Sequence, residues 1–252
     1  MMAVAGFGLA VVVGVLLGLL GGGGSIMTIP VLVYALGVPM KQAVPMSLIV
    51  VGVTSAVGAF GHHRRGNVRW EAVLSFGPAA ILGAFGGARL AHLVSNRVQL
   101  VIFACLMLAA AVSMFLGPGF WQKPGGPVET QVRRPFPIIA ALGLGVGMLT
   151  GLVGVGGGFL YVPALVLLGG LAMKDAVGTS LILIITSCVA GLISYFGTVR
   201  LDWSATGLFT GLAIVGVAIG SRLTGLVPQS ALRRGFAVLL VFMGLLVLFK
   251  PK

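Results

Sequence analysis

Residues 18–30 read GLLGGGGSIMTIP, and residues 151–163 read GLVGVGGGFLYVP. In each, a long apolar run ends in glycines, and a short apolar run then leads to a proline. Glycine accepts positive φ and close backbone approach, so a helix entering such a stretch is expected to break and restart. The stretches are 133 residues apart, and the same shift, without a gap, aligns much of the chain. Pro30 falls on Pro163, Gly37 on Gly170, Met40-Lys41 on Met173-Lys174, Ser47-Leu48-Ile49 on Ser180-Leu181-Ile182, and Trp70 on Trp203. From 18 to 70, 18 of 53 positions are identical, and Gly83/Gly216, Gly87/Gly220, Arg89/Arg222 and Phe103/Phe236 continue the register. Biased composition produces coincidences of Gly, Leu and Val. It does not readily align Pro, Lys, Trp and Arg, so the pattern reads as an internal duplication.

Composition sets the class. Of 252 residues, 16 are Lys or Arg and four Asp or Glu, for a net charge of +12. Charged residues make up 8% and hydrophobic residues 58%, against roughly 25% charged in soluble domains. That is too little polarity to wet a soluble globule, and it is the opposite of a disordered chain. Apolar segments lie at about 3–20, 26–38, 43–61, 71–93, 98–116, 136–153, 159–172, 176–197, 203–226 and 232–249. A bilayer core takes about 20 helical residues. The segment 26–38 reaches only about 20 Å. The stretch GPGFWQKPGGPVETQVRRP at 117–135 has the Gly, Pro and charge content of a linker.

The expected fold is therefore an all-α polytopic membrane protein. A first transmembrane repeat covers 1–116, a linker loop 117–135 and a second repeat 136–252, each with about five hydrophobic segments, one of them short or broken. The first apolar run lacks the positive n-region of a signal peptide, and Gly8 to Leu17 lies opposite the interior segment Ala141 to Thr150. It is read as a retained helix. Five crossings per repeat invert the second repeat relative to the first, a construction common in secondary transporters. Arg64, Arg65, Arg69, Lys123, Arg133, Arg134, Lys174, Arg222, Arg233 and Arg234 then share one side. Lys41, Arg89, Arg97, Arg200, Lys250 and Lys252 share the other. Ten against six makes the first side cytoplasmic and places both termini outside. Re-entrant short segments would give parallel repeats and a less decisive split of about nine against seven.

The acids Glu71, Glu129, Asp175 and Asp202 lie in or beside polar breaks. That weighs against an intramembrane carboxylate relay or cation site and against paired-carboxylate catalysis. Cys105 and Cys188 sit in apolar runs without metal-ligand spacing, and His62, His63 and His92 do not assemble three ligands. No metal, cofactor or catalytic role is expected, so the chain does not read as an enzyme. His63 and the arginines after it are placed in an interfacial loop.

Restarted helices expose N–H groups that, with the helix dipole, favour an anion. Gly21, Gly22, Gly23, Gly24 and Ser25, and in the second repeat Gly156, Gly157, Gly158 and Tyr161, are the candidates to hold one. The competing reading is close helix packing by small residues. A polar stripe follows in each repeat. Ser47, Val51, Thr54, Gly58 and His62 share one helix face, as do Ser180, Ile184, Ser187, Gly191 and Tyr195. Their hydroxyls either line a path for an oxyanion or bond to their own backbone. Pro30, Pro163, Arg89 and Arg222 are gating candidates, with interfacial snorkelling the plain alternative for the arginines. Lys41 and Lys174 read as anchors, and Trp70 and Trp203 as interface-belt residues.

The motifs GGGGSIMTIP, KQAVPMSLI, HHRRGNVRW, GVGGGFLYVP, KDAVGTSLI and YFGTVRLDW together resemble the sulfite exporter TauE/SafE family of membrane transporters. The resemblance covers nearly the whole chain. It implies export of sulfite, sulfoacetate or related sulfur-containing anions across the bacterial inner membrane. The first repeat departs from the pattern at Val44-Pro45-Met46-Ser47, where the second has Val177-Gly178-Thr179-Ser180. The second carries Val199 where the first has Gly66. The expectation is a secondary transporter of small sulfur-containing anions working by alternating access. The alternatives are a channel-like anion uniporter or a non-transport membrane assembly protein. Its partners would be a small anionic substrate and the lipid bilayer, with no nucleic acid; homo-oligomerisation stays open.

Overall fold

The computed structural model describes residues 2–91, 96–116, 136–153, 158–195 and 201–249. Helix α1 spans Met2–Leu20, and α2 spans Gly23–Pro30 and continues as a π turn over Val31–Ala35. Helices α3 (Met40–Arg64), α4 (Trp70–Ala91) and α5 (Asn96–Leu116) follow. Beyond the linker come α6 (Phe136–Val153), then α7 (Gly158–Pro163) with a π turn over Ala164–Leu168. The chain continues with α8 (Met173–Tyr195), α9 (Trp203–Leu226) and α10 (Gln229–Phe249). Among the described residues there is no strand. The fold is all-α, as the apolar runs implied. Among the described residues, four helical stretches are long and apolar enough to cross a membrane: Gln42–Arg64, Met173–Ile193, Trp203–Leu226 and Gln229–Leu246.

Local chemistry explains the breaks. Helix α1 stops where Gly21 takes φ +69°, a left-handed conformation that disfavours residues with a Cβ. Pro30 and Pro163 lack an N–H and crowd the carbonyl four residues back. The hydrogen-bond ladder widens just beyond each of them. Leu36 N–H donates to Val31 O at 3.2 Å and Gly169 N–H to Ala164 O at 2.9 Å, the five-residue spacing of a π turn. Helix α3 extends through Arg64, so His63 and Arg64 form its last turn instead of lying in a loop. Trp70 and Trp203 begin α4 and α9 and are exposed.

Helix α1 packs along α9, and α4 along α6. Glycines make both approaches possible. A Cβ on Gly14 would overlap the Ala213 carbonyl, and one on Gly216 that of Val11. In the other pair, Gly83 faces the Leu144 carbonyl and Gly147 that of Ala80 with the same intolerance. Helices α3 and α8, α5 and α10, and α2 and α7 also pack against each other. Each half thus lends its first helix to the fourth helix of the other. The core includes Phe159, Tyr161, Leu181, Ile184 and Phe236. Leu74, Leu82 and Ile193 point outward, as suits side chains solvated by lipid.

Candidate functional site at the helix breaks

The two broken segments meet. A Cβ on Gly22 would overlap the carbonyl of Gly158, so the chain at the start of α2 lies directly on the first residue of α7. Around this contact, the Cβ position of Gly158 lies 2.9 Å from Ser25 Oγ, and that of Gly21 lies 2.7 Å from Ser180 Oγ. Gly22, Gly24, Ser25 and Ser180 are buried. Gly21, Gly22 and Ser25 of the first repeat are therefore brought together with Gly158 and Ser180 of the second. Gly23 begins α2, while Gly156 and Gly157 lie outside the described residues.

The hydroxyls are less free than a lined path requires. Ser25 Oγ donates to Gly22 O at 2.6 Å and Ser180 Oγ to Val177 O at 2.8 Å. Ser47 Oγ donates to Val44 O at 2.7 Å, and Thr54 Oγ1 to Val50 O at 2.6 Å. Ser187 Oγ lies 2.9 Å from Leu183 O and 2.6 Å from the hydroxyl of Tyr161. Self-bonding to the helix is therefore the state adopted here, as Ser and Thr often do in membrane helices. Any donation to a ligand requires a hydroxyl to turn.

His62 has a separate role. It is fully buried at the end of α3, and its Nε2 lies 3.2 Å from Gly18 O. Thr224 Oγ1, from α9, reaches the same carbonyl at 3.1 Å. The last four carbonyls of a helix have no partner within it, and Gly18 belongs to this set because α1 ends at Leu20. His62 and Thr224 supply the missing donors. Two buried polar atoms on α3 have no partner among the described residues: His62 Nδ1 and Ser55 Oγ. They are seven residues apart and share a face. Ser55 was not singled out in the sequence, although its spacing from His62 carries that signal.

One end of the bundle is laced together around His62. Arg69 donates from Nε and Nη2 to Asp175 Oδ2, each at 2.7 Å, and its backbone N–H donates to Thr179 Oγ1 at 3.0 Å. Arg65 Nη1 donates to Ser221 O, and Lys174 Nζ to Gly225 O at 3.1 Å. Lys174 is thus tied to α9. The gating candidates divide into arginines exposed near helix ends and prolines within the broken segments. Arg89 is exposed and stacks on Phe85 at 4.5 Å, and Arg222 is exposed on α9. Pro30 and Pro163 set the π turns. Tyr195 ends α8. Among the described residues no group of three His, Cys, Asp or Glu could hold a metal.

Broken apolar helices meeting inside a lipid-facing bundle fit a membrane transporter. Residues 6–247 match the family described as Sulfite exporter TauE/SafE. The chain belongs to this family. A probable membrane transporter protein of Xylella fastidiosa strain 9a5c is 30% identical over 241 residues, covering 94% of this chain and 92% of its own. The probable membrane transporter protein YdhB of Bacillus subtilis is 27% identical, covering 94% and 96%. MJ0441 of Methanocaldococcus jannaschii, with the same description, is 28% identical over 74% of this chain and 71% of its own. No solved structure matches. This TauE/SafE chain is thus a multi-pass membrane transporter, and its described acids lie toward the helix ends: Glu71 and Asp175 in the first turns of α4 and α8, Asp202 as the N-cap of α9.

Proposed function

We propose that this TauE/SafE protein moves small sulfur-containing anions, such as sulfite or organosulfonates, across the cell inner membrane, most readily outward, by alternating access of two inverted repeats. The observation carrying the reading is the meeting of Gly21, Gly22 and Ser25 with Gly158 and Ser180 at the broken helices. The first-turn N–H groups of α2 and the hydroxyls of Ser25 and Ser180 are uncharged donors in a buried setting. Such donors can hold an anion reversibly, since a fixed positive charge there would slow release. Support for the repeats comes from element bounds that recur at a shift of 133, such as Val31–Ala35 and Ala164–Leu168. In the state adopted here Gly22 and Gly158 touch, so substrate entry requires α2 and α7 to part.

The test is flux of labelled sulfite, thiosulfate and sulfoacetate in liposomes holding the purified protein. Saturable uptake with counterflow distinguishes a carrier from a channel. The Ser25→Ala, Ser180→Ala double variant should lose about tenfold or more in flux, roughly the effect of two hydrogen bonds to charged groups at 1.5–3 kcal/mol each less partial compensation, while keeping its melting temperature. Undiminished flux in that variant would remove these residues from the site.

A further inference from the structure

We propose that His62 is the proton-binding residue of this transporter, taking on Nδ1 a proton that crosses the membrane with the anion. The proposal rests on the transport reading above. Its physical basis is the tautomer. Gly18 O can only accept, so Nε2, 3.2 Å away, carries the hydrogen. Nδ1 is then a bare lone pair, buried and without a partner among the described residues. A buried acceptor left unpaired costs free energy. Capping α1 alone does not require that cost, because a side chain that only donates, such as tryptophan, would serve a carbonyl without a spare acceptor. What imidazole adds is a second nitrogen able to take a proton.

The position of His62 links it to the proposed anion site. Gly18 is four residues before Gly22 in the chain, across the break at Gly21, and Gly178, two residues from Ser180, packs on His62, so the capped carbonyl lies close in the chain to the contact between α2 and α7. A proton on Nδ1 forms one N–H bond and turns imidazole into imidazolium, while the Nε2–H bond to Gly18 stays in place. That brings a positive charge next to the proposed anion position, which otherwise has only neutral donors. Each ion then favours the binding of the other, by the reciprocity that governs linked sites. The pair crosses together, and its direction follows the sum of the two gradients, so outward transport proceeds where the internal excess of anion outweighs an inward proton gradient. The proton comes from water at one face and returns to water at the other.

Among the described residues, and beyond His63 and Arg64 on α3 itself, the charged groups at this end of the bundle lie on the cover above His62. On the α3–α4 turn these are Arg65, held by Ser221 O, and Arg69, paired with Asp175. From α8 come Asp175 and Lys174, the latter held by Gly225 O. Helix α9 presents Thr224 and Ser221, with Arg222 exposed, and the described side chains of α1 carry no ionisable group. The Asn67 N–H donates to His62 O at 3.1 Å, and a Cβ on Gly178 would lie 3.1 Å from His62 Cβ. This cover closes His62 off from the adjacent face, as one step of an alternating cycle requires.

The test uses the full chain in liposomes, the potential clamped with potassium and valinomycin, a pH dye inside and labelled sulfoacetate outside. An inward gradient of one pH unit should raise accumulation about tenfold for one proton per anion, and the lumen should acidify as sulfoacetate enters. His62→Gln keeps a donor for Gly18 but cannot ionise. It should slow exchange severalfold, leave it measurable, and abolish both the pH-driven accumulation and the acidification. Wild-type flux without acidification overturns the proposal and leaves the transport reading standing. Acidification by His62→Gln overturns it too, as does loss of exchange as complete as loss of accumulation, which would make His62 a brace for α1. Should that variant not fold, ring ¹⁵N signals of His62 in a His63→Gln, His92→Gln protein decide. Proton arrival on Nδ1 that sulfoacetate favours supports the proposal, and a ring neutral from pH 5 to 9 overturns it. Absence of flux for every sulfur anion in the native protein would sink the transport reading, and the coupling with it.

Discussion

Tyr161 is fully buried on α7, and its hydroxyl lies 2.6 Å from Ser187 Oγ on α8. Its ring meets Phe76 of α4 edge-on at 5.9 Å. Tyr161→Phe keeps the ring contact and removes only the hydroxyl. Ser187 retains Leu183 O as acceptor, so one neutral hydrogen bond is lost, about 1 kcal/mol. The melting temperature in detergent should fall by about 2–4 °C, and an unchanged value would show that this bond contributes nothing to stability. Tyr161 and Ser187 were each legible as candidates, Tyr161 beside a glycine-rich break and Ser187 on a periodic polar stripe. Their pairing was not, since period and composition within one helix do not say which residue of another it faces. His62 was legible for the same reason, at the end of a polar stripe. Its bond to Gly18 was not, because that carbonyl becomes available only once α1 is known to stop at Leu20.

Helix boundaries were the most readable level. Apolar runs ended by Gly, Pro and charges located α1 through α10 to within a few residues, and the short runs 26–38 and 159–172 became α2 and α7 with their π turns. Partner choice between helices was not readable, because small residues mark a face for close approach without saying which helix comes to it. Gly216 and Gly207 on α9 make the point testable. A Cβ on Gly216 would overlap backbone of α1, whereas one on Gly207 meets nothing within 4 Å. Gly216→Leu should therefore cost about 1–3 kcal/mol or more through overpacking, seen as a fall in melting temperature or loss of monodisperse protein. Gly207→Leu should be tolerated, and equal damage from both would mean that α1 and α9 do not pack as described. Gly147→Leu should repeat the Gly216 result between α4 and α6, where it meets the Ala80 backbone.

At the scale of the whole molecule, the two ends of the bundle differ in how they are fastened. Arg69 and Asp175 close the end that carries Arg64, Arg65, Lys174 and Arg222. At the shift of 133 their counterparts are Asp202 and Gln42, which cannot form an ion pair. Asp202 instead caps α9, accepting from Ala205 N–H at 3.0 Å. Under the proposed alternating access, an ion pair found among the described residues at one end only biases the protein toward the state closed there. The latch is partly exposed, 46% at Arg69 and 15% at Asp175, so solvent screening limits it to about 1 kcal/mol. Removing it should shift the populations of the two states about fivefold, since the change in their ratio can be no larger than the differential free energy. Asp175→Asn is the least disruptive way to remove it. In a protein lacking Cys105 and Cys188 and carrying Ser180→Cys, a membrane-impermeant thiol reagent applied from the basic face should then label about fivefold faster, by the same population shift. Raised salt should speed labelling of the parent toward that rate, because ions screen a partly exposed pair. An unchanged rate in Asp175→Asn, or no response of the parent to salt, would mean that the ion pair fastens α8 to the α3–α4 turn without controlling which face is open.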